Sequence, residues 1–261
     1  MSTALVIKST SNERIKYLKS LNQKKYRQEN EQFIVENFKT IYDSRIIDSG
    51  LDEIFVTVEF VEKNKDKFEE LIKDLKIEEY FLISEAVNET FSSLENPSGI
   101  CALYNFKKNQ INFDDIIIYL NKINDPGNLG TILRSALAFD IKNIVLDENC
   151  VDIYNPKTIN SAKDSIFKLN ISIDDKDRII LHEIKNRMKI YSTRLENSDG
   201  IETLKKQDKF CLVFGNEASG IDRDIYELSD GFIKINMTSD IESINVAMSA
   251  SIIFHYIYNK Y

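Results

Sequence analysis

Along most of the chain, short apolar runs alternate with stretches whose apolar residues recur every three or four positions, as when strands and amphipathic helices take turns. Ser11-Asn12 should cap a helix over residues 13–21 that buries Ile15, Leu18 and Leu21 and leaves its lysines opposite. Residues 33–35 read as a strand, and Phe38, Ile41, Tyr42, Arg45 and Ile46 keep helical spacing until Gly50. Strands predicted at 53–58, 80–83 and 100–104 alternate with helices around 68–75 and 85–94. This alternation predicts a compact α/β unit. The polar stretch 107–110 is the expected linker, which divides the chain into units of 1–107 and 111–261.

The second unit carries the same alternation. Residues 116–120 are almost wholly apolar, as expected for a strand buried on both faces of a parallel sheet. Pro126-Gly127 then makes a turn, Asn128 stands where a helix N-cap would, and Ile132, Leu133, Ala136 and Leu137 form a buried stripe away from Arg134. A strand at 142–146, a helix from Pro156 to about Leu169, a helix at 177–188 and a strand at 189–193 follow. The strand 210–214 runs into Gly215-Asn216-Glu217-Ala218-Ser219-Gly220; a later strand, 232–237, leads through a polar loop to Ser243-Ile244-Asn245 and the last helix. Two parallel strands that each end in a polar loop put those loops on one sheet edge, where open α/β sheets bind ligands. Glycine-containing turns leave backbone amides free for such a ligand.

Composition narrows the classes. The 43% apolar and 29% charged fractions are those of a soluble globular protein, and no apolar run reaches the roughly 18–20 residues of a membrane span or resembles a signal peptide. A cytoplasmic location is expected. Cys101, Cys150 and Cys211 form no close pair and lie in apolar runs, which predicts buried reduced thiols. His182 and His255 have no ligand cluster around them, so no metal site is expected. The net charge of −8 runs against nucleic acid as a partner, but Lys8, Arg14, Lys16, Lys19, Lys24, Lys25 and Arg27 are offset only by Glu13 before position 28. Neither a dinucleotide fingerprint, a P-loop nor a nucleophile–histidine arrangement is present.

The stretch Asp125-Pro126-Gly127-Asn128-Leu129-Gly130-Thr131-Ile132-Leu133-Arg134, the loop Gly215–Gly220 and the run from Ile235-Asn236-Met237 to Glu242-Ser243-Ile244-Asn245-Val246 resemble motifs 1, 2 and 3 of the SpoU/TrmH branch of the SPOUT RNA 2′-O-ribose methyltransferases, in the family's order. The first unit is similar to the family's ribosomal-protein-like substrate-binding domain through Asn12, Lys16 and Leu18, Lys25-Tyr26-Arg27, Phe33-Ile34-Val35-Glu36 and Pro97–Ile100. Departures are visible. Asn37 stands where the family has Gly, and Asn tolerates positive φ, so a positive-φ turn is expected there. Asp140 also replaces a Gly, the segment Ser161-Ala162-Lys163-Asp164-Ser165 lacks the usual Gly, and Asn236 replaces the Pro of motif 3.

The resemblance implies an α/β protein: a small amino-terminal α/β/α domain, then a five- or six-stranded parallel SPOUT sheet with a carboxy-terminal trefoil knot, assembled as a homodimer. It implies S-adenosylmethionine as cofactor, held by Thr193, Gly215, Asn216, Gly220, Ile235, Met237 and Ile244, and catalytic roles for Asn128, Arg134, Glu217, Ser243 and Asn245. RNA would be met by Asn12, Arg14, Lys16, Lys25 and Arg27, with ribosomal RNA, 23S in particular, favoured over tRNA. A guanidinium with a pKa above about 12 is a poor base, so Arg134 is expected to clamp the flanking phosphate instead. Alternatives are a tRNA 2′-O-methyltransferase and an RNA-binding protein that retains the fold without turnover.

Overall fold

A computed structural model of the chain describes residues 2–204, 209–238 and 240–260. The chain forms two compact units, one of residues 1–107 with 154–160 and one of 108–153 with 161–261. Residues 154–160 join the first unit through Tyr154, whose ring stacks on Phe33 and Phe106 at 4.3 and 4.1 Å.

The first unit runs β1 (Thr3–Ile7), α1 (Glu13–Ser20), α2 (Lys24–Asn30), β2 (Gln32–Val35), α3 (Phe38–Ser44), β3 (Leu51–Thr57), α4 (Val58–Lys63), α5 (Lys65–Asp74), β4 (Glu79–Ile83), α6 (Glu85–Phe91) and β5 (Ile100–Asn105). Its sheet has the order β1-β4-β3-β5-β2, with β5 antiparallel to both neighbours and the other pairs parallel. Ile15, Leu18 and Leu21 pack with Val87 and Phe91 onto Phe55, Phe81 and Cys101, as the helical stripe requires. Three elements escape the sequence pattern. Strand β1 is a half-exposed edge with Val6 61% exposed, α2 buries only Arg27, and α4 buries only Phe60, so none shows a clean apolar period. Helix α3 ends at Ser44 rather than at Gly50, whose φ of 73° serves the entry into β3. Asn37 has φ −92°, not the expected positive value; its side chain caps α3 by accepting from Thr40 N–H at 3.0 Å. Glu36, 7% exposed, accepts from Ser93 N–H at 2.9 Å and from the Ser92 and Ser93 hydroxyls, which gives the Phe33–Glu36 run a structural reason.

The second unit contains β6 (Ile117–Leu120), α7 (Pro126–Ala138), β7 (Asn143–Leu146), only the last residues of α8 (Pro156–Ala162, most of which belongs to the first unit), α9 (Ser165–Lys168), β8 (Asn170–Ile173), α10 (Ile179–Arg187), β9 (Ile190–Thr193), β10 (Asp199–Gly200), β11 (Cys211–Phe214), α11 (Arg223–Leu228), β12 (Gly231–Lys234) and α12 (Val246–Lys260). All its strand pairs are parallel in a seven-stranded order β10-β12-β9-β11-β6-β7-β8. The seventh strand, beyond the five or six expected, is the two-residue β10, too short to leave a pattern. Central strands β6 and β11 are buried throughout; Tyr119, Val213 and Ile190 pack against Leu181, Ile184 and Ile225. Helices α7 and α12 pack together, and Phe254 meets Phe214 edge-on at 5.7 Å.

Three expectations need correction here. The N-cap of α7 is Asp125, whose carboxylate accepts from Asn128 N–H at 2.7 Å, because Pro126 is suited to the first helical position; Asn128 is therefore inside the helix. The helix expected from Pro156 to Leu169 is two helices, broken at Lys163 with φ 57°. Strand β12 ends at Lys234, which leaves Ile235 to Met237 free of the ladder.

A charge cluster joins the end of β6 to α10 and α11. Asp222 accepts from Lys122 at 2.5 Å, Arg178 at 2.6 Å and Asn121 at 3.2 Å. Burial raises the Asp222 carboxyl, but bonds from Lys122 and Asn121 and the charges of Lys122 and Arg178 outweigh it and hold its pKa below the usual value. Asp222→Asn should destabilise the protein by about 1–3 kcal/mol at neutral pH. A depressed carboxyl contributes stability that is present above the unfolded pKa and lost as pH falls through the folded one. The gap between wild type and variant in urea unfolding should therefore close below about pH 4. A gap undiminished in strong acid would assign the effect to packing instead.

Candidate active site

Strands β9, β11 and β12 are parallel, so Thr193, Phe214 and Lys234 end at the same sheet edge. Beyond that edge lies a cavity of about 440 Å³, a size suited to a small-molecule ligand. The residues expected at the cofactor all line it: Thr193, Gly215, Asn216, Gly220, Ile235, Met237 and Ile244, together with Glu217 and Ser243. Apolar Phe214, Ile221 and Ile253 and acidic Glu196 also line it.

One wall is a closed loop. Asn216 and Gly220 exchange backbone hydrogen bonds of 3.0 and 2.9 Å, and the Asn216 side-chain oxygen accepts from Ala218 and Ser219 N–H at 2.8 and 3.1 Å. The Asn216 amide donates to Lys122 O at 3.0 Å, tying the loop to the end of β6, so this side chain is committed to holding the loop. Gly220 adopts φ 68°, and a Cβ on Gly215 would fall 2.5 Å from the Gly220 carbonyl group. The Thr193 hydroxyl likewise bonds Val213 O at 3.0 Å.

The three distant sequence motifs meet at Asn128. Its amide donates to Glu217 Oε1 at 2.5 Å, and its side-chain oxygen accepts from Asn245 Nδ2 at 2.9 Å. Asn245 in turn accepts from Ala247 N–H at 2.8 Å at the start of α12. Each amide thus has one defined orientation, and Glu217 is held with a second oxygen still able to accept. Arg134 does not line the cavity; it lies exposed on α7. Ser243 is exposed at the rim, and the side chain of Asn236 turns to Glu202 at 2.8 Å.

In the first unit the residues expected at RNA divide. Lys16 and Lys25 are exposed, with side-chain exposures of 57% and 73%, on ion pairs to Glu13 and Glu29 that surface screening makes weak. Asn12 caps α1 through Arg14 N–H, and Arg14 pairs with Glu53 at 3.2 Å over the ring of Phe81. Arg27 corrects the expectation: it is 2% exposed and donates to Leu21 O at 2.6 Å, an anchor inside the unit rather than a surface cation.

Sequence reasoning stopped at Thr193 and missed Arg194 and Glu196 just beyond. The Arg194 guanidinium lies 3.7 Å from the centre of the Phe232 ring and donates to Glu196 O and Asn197 O, shaping the loop that closes this side of the cavity. A basic residue directly after a strand of the ligand-binding edge was the available signal.

Residues 12–102 match the MRM3-like substrate binding domain. Over 96% of its length the chain is 25% identical to "23S rRNA (guanosine(2553)-2′-O)-methyltransferase RlmP" of Bacillus subtilis, 98% of which is covered. A Borreliella burgdorferi protein named an uncharacterized tRNA/rRNA methyltransferase is 30% identical over 84% of this chain and 86% of its own. The fold is that of an AdoMet-bound rRNA methyltransferase from Sinorhizobium meliloti, with a TM-score of 0.83, 20% identity and 98% of both chains covered. It is also that of the SpoU methyltransferase AviRb from Streptomyces viridochromogenes in complex with AdoMet, with a TM-score of 0.82, 17% identity and coverage of 95% and 97%. Residues 115–255 match the SpoU rRNA Methylase family, and with more than half of its length in that match the chain belongs to this family.

Proposed function

We propose that this protein transfers the methyl group of S-adenosylmethionine to a ribose 2′-hydroxyl of structured RNA, with 23S ribosomal RNA as the substrate. The observation that carries this reading is the junction of Asn128, Glu217 and Asn245 beside the cavity. The residues fit the cofactor: Gly215 lets the loop close tightly on Gly220, Thr193, Ile235 and Ile244 line the cavity, and the acidic residues Glu196 and Glu217 suit a cationic sulfonium. Bound there, the cofactor would supply an electrophilic methyl group and leave as a neutral thioether.

The chain's own residues then position and deprotonate. Glu217, fixed by Asn128, is the acceptor that orients the cationic end of the cofactor. Arg134 grips the phosphate beside the target ribose through its planar fork and favours loss of the 2′-hydroxyl proton, which passes to water beside Ser243. Because Arg134 is outside the cavity of its own chain, the complete site needs a second copy. The large apolar residues Met248, Ile252 and Tyr258, exposed along α12, supply a surface for that homodimer. The trefoil knot belongs to the same reading and is supported by β12 lying between β10 and β9 while the chain returns to pack α12 on α7. Among the described residues no helix is long and apolar enough to cross a membrane, and Cys101, Cys150 and Cys211 are buried and unpaired. Burial pushes the Cys150 thiol up to about 12, so it stays protonated.

Incubating the protein with radiolabelled S-adenosylmethionine and unmodified 23S ribosomal RNA tests the proposal. Label should appear in RNA and survive as a 2′-O-methyl nucleotide after digestion. Transfer to tRNA alone would change the substrate, and RNA binding without transfer would leave only a binding protein.

The first unit is the proposed RNA-holding part, through α1. Reversing Lys16 to Glu should lower the slope of log affinity against log salt by about 0.7–0.9 and leave S-adenosylmethionine binding unchanged. An unaltered slope would return this helix face to solvent.

A further inference from the structure

Two cations of the second unit, one on α7 and one at the start of α9 packed against it, have no carboxylate bonded to either. Arg134 lies on the face of α7 that also carries Asn128 and Thr131, positions three apart and so stacked along the helix. Lys163 sits at the break between α8 and α9, and α9 packs against α7. Among the described residues, the side chain of neither Arg134 nor Lys163 has a hydrogen-bond or ion-pair partner. Lys122, Lys168, Arg178 and Lys185 of the same unit each bond an aspartate.

Lys163 is also held at a cost. It is half-buried, and its φ of 57° is unfavourable for a residue with a Cβ. Burial first, and then the charge of Arg134, push its ammonium below the ordinary value, so the two cations feel each other. A strained, partly desolvated cation beside another is unfavourable alone. An anion shared by both removes that penalty, and strain of this kind is found where a ligand compensates it.

We infer that Lys163 is a second cation for the RNA phosphate gripped by Arg134, acting as a point charge beside the arginine fork. This rests on the proposed function for the identity of the anion. A lysine takes the bend where the resemblance leads one to expect a small residue. Lys163 would bind RNA equally before and during methyl transfer, so it should act on KM and not on kcat.

The experiment is a salt titration of the full chain with a fluorescent transcribed domain of 23S ribosomal RNA, together with steady-state kinetics. Lys163→Gln should lower the log–log salt slope by about 0.7–0.9 and raise KM for RNA about tenfold at nearly constant kcat. Lys163→Arg should restore both, and S-adenosylmethionine affinity should be unchanged in each. Lys163→Gly separates charge from backbone: it should weaken RNA binding as Gln does, while its Tm equals or exceeds that of wild type. A role in folding alone would move Tm downward in both variants and leave the salt slope intact. A Gln variant with wild-type slope and KM overturns the inference and leaves the methylation reading standing. If wild type binds RNA without methylating it and Gln still flattens the slope, the phosphate contact stands while that reading falls. Absence of RNA binding by wild type overturns both.

Discussion

Replacing Gly215 by Ala should raise the dissociation constant for S-adenosylmethionine by about a hundredfold or more, which corresponds to about 2.7 kcal/mol. The new Cβ would sit 2.5 Å from both the carbonyl carbon and oxygen of Gly220 and 2.6 Å from Ile221 Cγ1. The first two are backbone atoms, so no rotamer change can make room. The loop must open against the paired bonds between Asn216 and Gly220 and the two that Asn216 Oδ1 accepts. Opening draws Glu217 away from Asn128 and displaces one wall of the cavity. Overpacking of this kind also costs stability, typically about 1–3 kcal/mol. Calorimetry with the cofactor, with circular dichroism to confirm folding, reads the result. Affinity within a factor of a few of wild type would show that the tight loop does not shape the binding face.

Arg134→Ala should lower kcat by about a hundredfold or more, the scale seen when one preorganised charge-stabilising donor is removed, while S-adenosylmethionine binding and folding stay close to wild type. Its place explains the separation. Arg134 is exposed on α7 and outside the cavity, which is built from chain segments after residue 190. Arg134→Lys keeps the charge but loses the planar fork and should recover only a small part of the activity. The pH profile distinguishes a clamp from a base. With a clamp, the rate keeps rising with pH as the 2′-hydroxyl ionises, and the Lys variant follows the same profile at lower amplitude. With a base, a lysine of reference pKa about 10.4 would shift the profile toward neutral pH. Full activity in the Ala variant would remove Arg134 and its motif from the site.

Much of the second unit was legible because its signals are local and strong. Residues 117–120 and 211–214 are continuous apolar runs, and strands buried on both faces admit little else. The loop at Gly215–Gly220 and the start of α12 carry glycine and asparagine where turns and caps require them, and the residues that the family resemblance assigned to the cofactor are gathered at one cavity. The first unit was less legible at its margins. A half-exposed edge strand such as β1 and a polar helix such as α2 have little apolar period to read.

By itself, then, the sequence determined the alternation of strands and helices, the three motifs, and the polar character of the edge they form. These depend on spacing within a few residues, which a linear reading captures. Only the tertiary structure decided what each polar side chain does. Capping of α7 fell to Asp125, which freed Asn128 to join Glu217 and Asn245, residues 89 and 117 positions away. Arg27 lies in a cationic run yet anchors the interior, because burial depends on the elements packed over a residue rather than on its neighbours in the chain. The left-handed turn at Lys163 likewise interrupts what reads as one helix, where the chain must turn into α9 against α7. The partners of Asn128 are remote in sequence, and no local pattern of hydrophobic and polar positions encodes a partner a hundred residues away.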